Sequence, residues 1–163
     1  MNKIKTIKIK RGKIFGQATL VKTLNELLDL GFKDPKSADH VAALSEYVDD
    51  LNDVILKSYS TFIKGNGGKA EKVQGGIRPD FRTPEFIALS EEYEKDNKNE
   101  ALKIKLATEG KKVEEASSKF FDAAEAWIKE DIDFEWEVKT IKFSSDVAVK
   151  PSWCKALRGL LKW

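Results

Sequence analysis

The residues IDFEWEVKTIKF, Ile132 to Phe143, alternate between two faces: Ile132, Phe134, Trp136 and Val138 share one parity, and Asp133, Glu135 and Glu137 take the other. A period of two predicts a half-buried strand. The parity flips after Val138, because Ile141 and Phe143 are odd-numbered, and the flip predicts a bulge near Lys139 and Thr140. Near the N-terminus KTIKIK, Lys5 to Lys10, sets Ile7 and Ile9 against Lys8 and Lys10. It is the natural mate, with lysines facing acids on the wet side and isoleucines meeting Phe134 and Trp136 on the dry side. A two-stranded ribbon is marginal alone, so its apolar face needs a helix over it.

The rest of the pattern is helical. Ala18 to Leu30 places Leu20, Val21, Leu24, Leu27 and Leu28 on one stripe, with Gly31 as a left-handed stop. Asp34 and Pro35 supply an N-cap and a first-turn proline to a longer segment. In it Val41, Leu44, Val48, Leu51, Ile55 and Phe62 form a heptad seam, broken where Ser58 occupies an apolar slot. Through Ile63 this is roughly 45 Å of helix, and its seam needs a partner. Thr83 and Pro84 open another helix with Phe86, Leu89 and Tyr93 on one side, and helix is favoured over strand for Leu102, Ile104 and Leu106. After Gly110, Val113, Ala116, Phe120, Ala123 and Trp127 return to spacings of three and four, the expected cover for the first seam. Pro151 opens a last short helix that carries Trp153, Leu157, Leu160 and Leu161 on one side.

Between the long helices, residues 64–82 hold Gly65-Asn66-Gly67-Gly68, Gly75-Gly76 and Pro79 with no sustained period, which predicts a long flexible loop. The fold class expected is therefore α+β and helix-dominated: two long antiparallel helices, shorter helices and a small two-stranded β-ribbon, in a single domain over residues 1–163.

Composition narrows the function classes. The chain of 163 residues is 34% charged with a net charge of +2, which argues against both a wholly basic nucleic-acid coat and an acidic disordered tail. The charge is unevenly placed: Met1 to Lys22 carries seven bases and no acid, and Val138 to Trp163 carries six bases against Asp146 alone. Such ends either contact an acidic partner or nucleic acid, or pair with the acidic middle inside the fold. Cys154 is the single cysteine, so no intramolecular disulfide forms and a reducing compartment is expected. With no membrane-length apolar run and no signal-like N-terminus, the expected location is the cytoplasm.

Catalytic chemistry finds little to stand on. His40 is the single histidine, so no histidine triad or multi-histidine metal site can be built within one chain. Asp49 and Asp53 stand one turn apart but flank the seam, where solvated charge belongs. GNGGKAEKVQGG fails the phosphate-loop pattern, since Gly65 to Lys69 is too short and Ala70 stands where a hydroxyl is needed. The expectation is a non-enzymatic protein without cofactor or metal, with a small enzyme or a nucleotide-sequestering protein as the last alternative. Its candidate partner-binding residues are the off-seam aromatics Tyr47, Tyr59 and Phe86 and the loop bases Lys69, Lys72, Arg78 and Arg82. A protein partner is expected, with self-association as an accompaniment and nucleic acid as a weaker alternative.

The order of parts also resembles small uncharacterised helical proteins of tailed bacteriophages. The likeness rests on the basic first strand, the helix KSADHVAALSEYVDDLNDVI, the acidic strand after the second long helix and the closing IKFSSDVAVKPSWCKALRGLL. It covers most of the chain, although the stretch from Gly65 to Arg82 is longer than the loop of such proteins. No site residue carries over. The resemblance implies a phage setting and the host cytoplasm, with an inhibitor of host defence, a virion component or an assembly factor as the roles expected there.

Overall fold

The computed structural model describes residues 4–15, 19–74 and 76–163. The fold is helix-dominated α+β: five α-helices and three two-stranded sheets are described. The chain divides into two compact units, Met1–Leu56 with Trp127–Trp163, and Lys57–Ala126.

In the first unit, β1 (Lys5–Lys10) pairs antiparallel with β4 (Asp131–Trp136) in the register the charges require. Lys8 lies across from Asp133 and Lys10 from Asp131; both pairs form salt bridges, the second at 2.8 Å. On the other face Ile7 opposes Phe134 and Ile9 opposes Ile132, and Phe134 is fully buried. The cover is α2 (Pro35–Gly65), whose Tyr47 meets the Phe134 ring edge-on at 4.9 Å and stacks on Trp136 at 5.9 Å. The amphipathic strand therefore closes a core. Val41, Leu44 and Val48 of the seam are wholly buried in the same unit.

No bulge re-aims the strand after Val138. Instead the chain leaves one sheet and enters another: β5 (Lys139–Thr140) pairs in parallel with β6 (Leu161–Lys162). The parity flip marks a change of partner. The C-terminal helix is also shorter than its leucine stripe suggests. α5 (Pro151–Ala156) stops before Leu157, and Gly159 at φ +85° turns the chain so that Leu160 and Leu161 are buried from non-helical backbone. α1 (Thr19–Leu28) buries Leu20, Leu24 and Leu27, while Ala18 of the expected span lies outside the described residues. Gly31 does not adopt the left-handed backbone expected of a helix stop. α1 is tied to α5 through Glu26, whose carboxylate accepts a 2.9 Å hydrogen bond from the Trp153 indole. That bond and the nearby Lys150 ammonium hold the Glu26 carboxyl below its usual range.

The short 3₁₀ turn Arg11–Lys13 fastens the ribbon to the end of α4 (Glu100–Lys129). The Arg11 guanidinium donates to the Trp127 carbonyl at 2.8 Å, pairs with Glu130 at 2.9 Å and lies 4.0 Å over the Trp127 ring. A cation thus answers the exposed carbonyls at a helix C-terminus.

In the second unit the expected loop has regular structure. β2 (Lys69–Val73) and β3 (Gly76–Asp80) form an antiparallel hairpin, with Lys69 across from Asp80 and Val73 across from Gly76. Gly75 lies outside the described residues. The hairpin is rooted by Phe81, which packs on Phe120 at 5.0 Å between ring centroids, and by the buried Gly68 beneath it. Tyr59 and Phe62 join the same Phe120 cluster. α3 (Pro84–Lys95) begins as its sequence signals, with the Thr83 hydroxyl accepting from the Phe86 amide at 3.0 Å. α4 starts ten residues before Gly110, so Leu102, Ile104 and Leu106 are helical.

Candidate functional site

The first turns of α2 carry an arrangement the sequence did not single out. Asp34 caps the helix: its carboxylate accepts from the Ser37 amide at 2.9 Å and from the Ser37 hydroxyl at 3.1 Å. The same hydroxyl accepts from the Lys142 amide at 3.0 Å, and the Lys33 amide donates to the Lys142 carbonyl at 2.9 Å. These bonds bring the segment after β5 against the start of α2. Because the Ile141 amide donates to the Lys162 carbonyl at 2.8 Å, β6 is brought there as well.

Between them lies a recess of about 530 Å³, lined by Lys36, His40, Lys139, Thr140, Lys142 and Lys162 together with Asp34, Ser37 and Val138. Four lysines from three segments line it. Lys139 pairs with Glu137 at 2.9 Å, but among the described residues Lys36, Lys142 and Lys162 form no salt bridge. Lys36 sits in the first turn of a 31-residue helix, where the macrodipole is positive and a lysine is unfavourable. No acid occupies that first turn. The recess therefore concentrates positive charge, with the capping Asp34 carboxylate as the one acid in its lining.

His40 forms part of the wall and is 8% exposed. Its ring stacks on Trp136 at 4.9 Å, and its Nε2 is buried without a hydrogen-bond partner, as is the Trp136 indole nitrogen. Burial, and after it the nearby Lys139, push the imidazole pKa down; Glu137 opposes them through its charge and a backbone hydrogen bond.

The residues singled out from sequence do not converge. Tyr47 is half-buried against β4, and Tyr59 is 8% exposed and packed on Phe120, so it offers no free aromatic surface. Burial also pushes the Tyr59 phenol up. Phe86 is half-buried beside Gly110, at which an added Cβ would lie 3.6 Å from its ring. On the hairpin, Glu71 takes Arg78 at 2.6 Å and Arg82 at 3.6 Å, while Asp80 takes Arg82 at 2.8 Å. Those bonds from Arg82 hold the Asp80 carboxyl well below the carboxylate range. The two arginines are thus largely answered within the hairpin; Lys69 and Lys72 are exposed.

Cys154 is half-buried at a recess of about 570 Å³ shared with Lys13, Lys155 and Arg158. Among the described residues, no three His, Cys, Asp or Glu side chains gather as a metal ion would need, and no helix is long and apolar enough to cross a membrane. Compared with protein-family models, curated proteins and solved structures, the chain matches none.

Proposed function

We propose that the protein acts by binding, without catalysis of its own, and that it holds an acidic partner protein on the basic recess of its first unit. The observation that supports this reading is the contrast among its lysines. Lys8 and Lys10 of β1 pair with Asp133 and Asp131 of β4, whereas Lys36, Lys142 and Lys162 line one recess with no such match among the described residues. Like charges brought together at the positive end of a helix weaken the fold slightly, so their use is sought in a partner. In a phage setting that partner is a host protein, and blocking a defence protein is the role such a surface serves.

The test compares two polyanions on the intact protein. Immobilised protein should bind poly-L-glutamate with an affinity that falls as salt rises, and Lys142→Glu with Lys162→Glu should weaken it by about tenfold or more. Tighter binding of a DNA or RNA duplex, with the same dependence on the two lysines, would move the reading to nucleic acid. Absence of binding to either polymer would end it.

A further inference from the structure

We infer that the recess between the start of α2 and the β5–β6 pair is a binding site for a phosphate monoester. The inference rests on the proposed function for its location and goes beyond it in naming the ligand's chemistry.

Three features select this chemistry. Lys36 from the helix, Lys142 after β5 and Lys162 from β6 line the recess from different segments, with Lys139 of β5 beside them on Glu137, which suits a tetrahedral group with several oxygens better than a single planar carboxylate. The charge excess in the lining, with Lys139 answered by Glu137 and Lys36, Lys142 and Lys162 set against Asp34, is matched by a dianion more fully than by a monoanion. Finally, the wall behind the lysines is fixed, because His40 is more than nine-tenths buried there and stacks on Trp136. Asp34 is committed to Ser37 as a helix cap, so the ligand is held by the lysines and not by the capped amides.

At about 530 Å³ the space exceeds a bare phosphate and opens to solvent, leaving room for the group that carries the phosphate to extend outward. Two sources supply this chemistry: a small phosphorylated metabolite and a phosphorylated side chain on the partner protein.

The experiment titrates the ¹⁵N-labelled full chain at neutral pH with phenyl phosphate, with a phosphoserine peptide and with sodium chloride at equal ionic strength. The readout is the backbone amides of Lys36 and Lys142 and the Trp136 indole N–H behind His40. Expected are saturable shifts with a phosphate ligand and not with chloride, and an affinity at least about tenfold weaker in the Lys142→Gln, Lys162→Gln double variant. That variant keeps the backbone bonds of both residues, and an unchanged thermal transition shows it folded. Saturation by phenyl phosphate assigns a small ligand; saturation by the phosphopeptide alone assigns a phosphorylated partner. Shifts that never saturate, that chloride reproduces, or that the double variant leaves intact overturn the inference. If poly-L-glutamate still binds in that case, the phosphate site falls while the broader binding role stands.

Discussion

His40 and Trp136 lie ring on ring, 4.9 Å between centroids and 28° between planes, and each keeps a buried ring nitrogen without a hydrogen-bond partner. One ring belongs to the helix and the other to the strand that the helix covers. The stack therefore joins the core of the first unit to the wall of its basic recess.

Replacing Trp136 separates the two contributions. Trp136→Ala removes a half-buried indole that packs on Tyr47 and His40, and should cost about 3–5 kcal/mol in chemical denaturation. Trp136→Phe keeps an aromatic face and deletes the unpartnered N–H, so its cost should be about 1 kcal/mol or less. Equal losses in the two variants would mean that the indole nitrogen has a partner in solution.

The imidazole should make stability depend on pH in one direction. Burial and Lys139 lower the folded pKa of His40, so the unfolded chain takes up the proton first as pH falls. The stabilisation is full above the unfolded value of about 6.5 and is lost as pH falls from there through the folded value. Between pH 7.5 and pH 5 the melting temperature of the wild type should therefore drop more than that of His40→Gln. Because His40 is the single histidine, the difference between the two curves reports this group alone.

Arg11 is expected to matter more than a surface cation. It is 15% exposed at the side chain and joins the Trp127 carbonyl, the Glu130 carboxylate and the Trp127 ring. Arg11→Lys keeps the charge but loses the planar fork, and should cost about 1–2 kcal/mol; Arg11→Ala should cost about 2–3 kcal/mol. Urea unfolding followed by tryptophan fluorescence measures both. A neutral Arg11→Lys would show that charge alone suffices.

At the root of the hairpin there is no room for a methyl group. A Cβ on Gly68 would stand 2.7 Å and 2.9 Å from two atoms of the Phe81 ring and 3.0 Å from Ile63. Gly68→Ala should cost about 1–3 kcal/mol by forcing Phe81 off Phe120. Limited proteolysis should then cut within residues 69–80 faster than in the wild type. Unchanged cleavage would place the hairpin's anchor elsewhere.

What could be read from the sequence follows physical lines. KTIKIK and DIDFEW were readable as partners because alternation and opposite charge specify the same register. The caps at Asp34 and Thr83 were readable because they involve neighbours within three residues. The hairpin was not, since KAEKV and GIRPD lack alternation and carry Pro79 among flanking glycines; Phe81 gathers the hairpin onto a ring 39 positions away. The last leucines misled because Leu157, Leu160 and Leu161 fit a helical stripe, although Gly159 breaks it and tertiary burial takes them anyway. The recess left only a faint trace, the excess of bases after Val138. Its lysines stand at 36, 139, 142 and 162, and nothing local announces that the backbone will collect them.

The parallel pairing of β5 with β6 also makes the recess separable from the ribbon. Lys139 and Lys162 are 23 residues apart, and a parallel pair needs a crossover between its strands, which here includes α5. The β1–β4 ribbon and its cover by α2 require none of that segment. A chain cut after Leu160 would hence keep both strands of the ribbon, yet lack the strand that carries Lys162, so the recess can be lost while the ribbon stays.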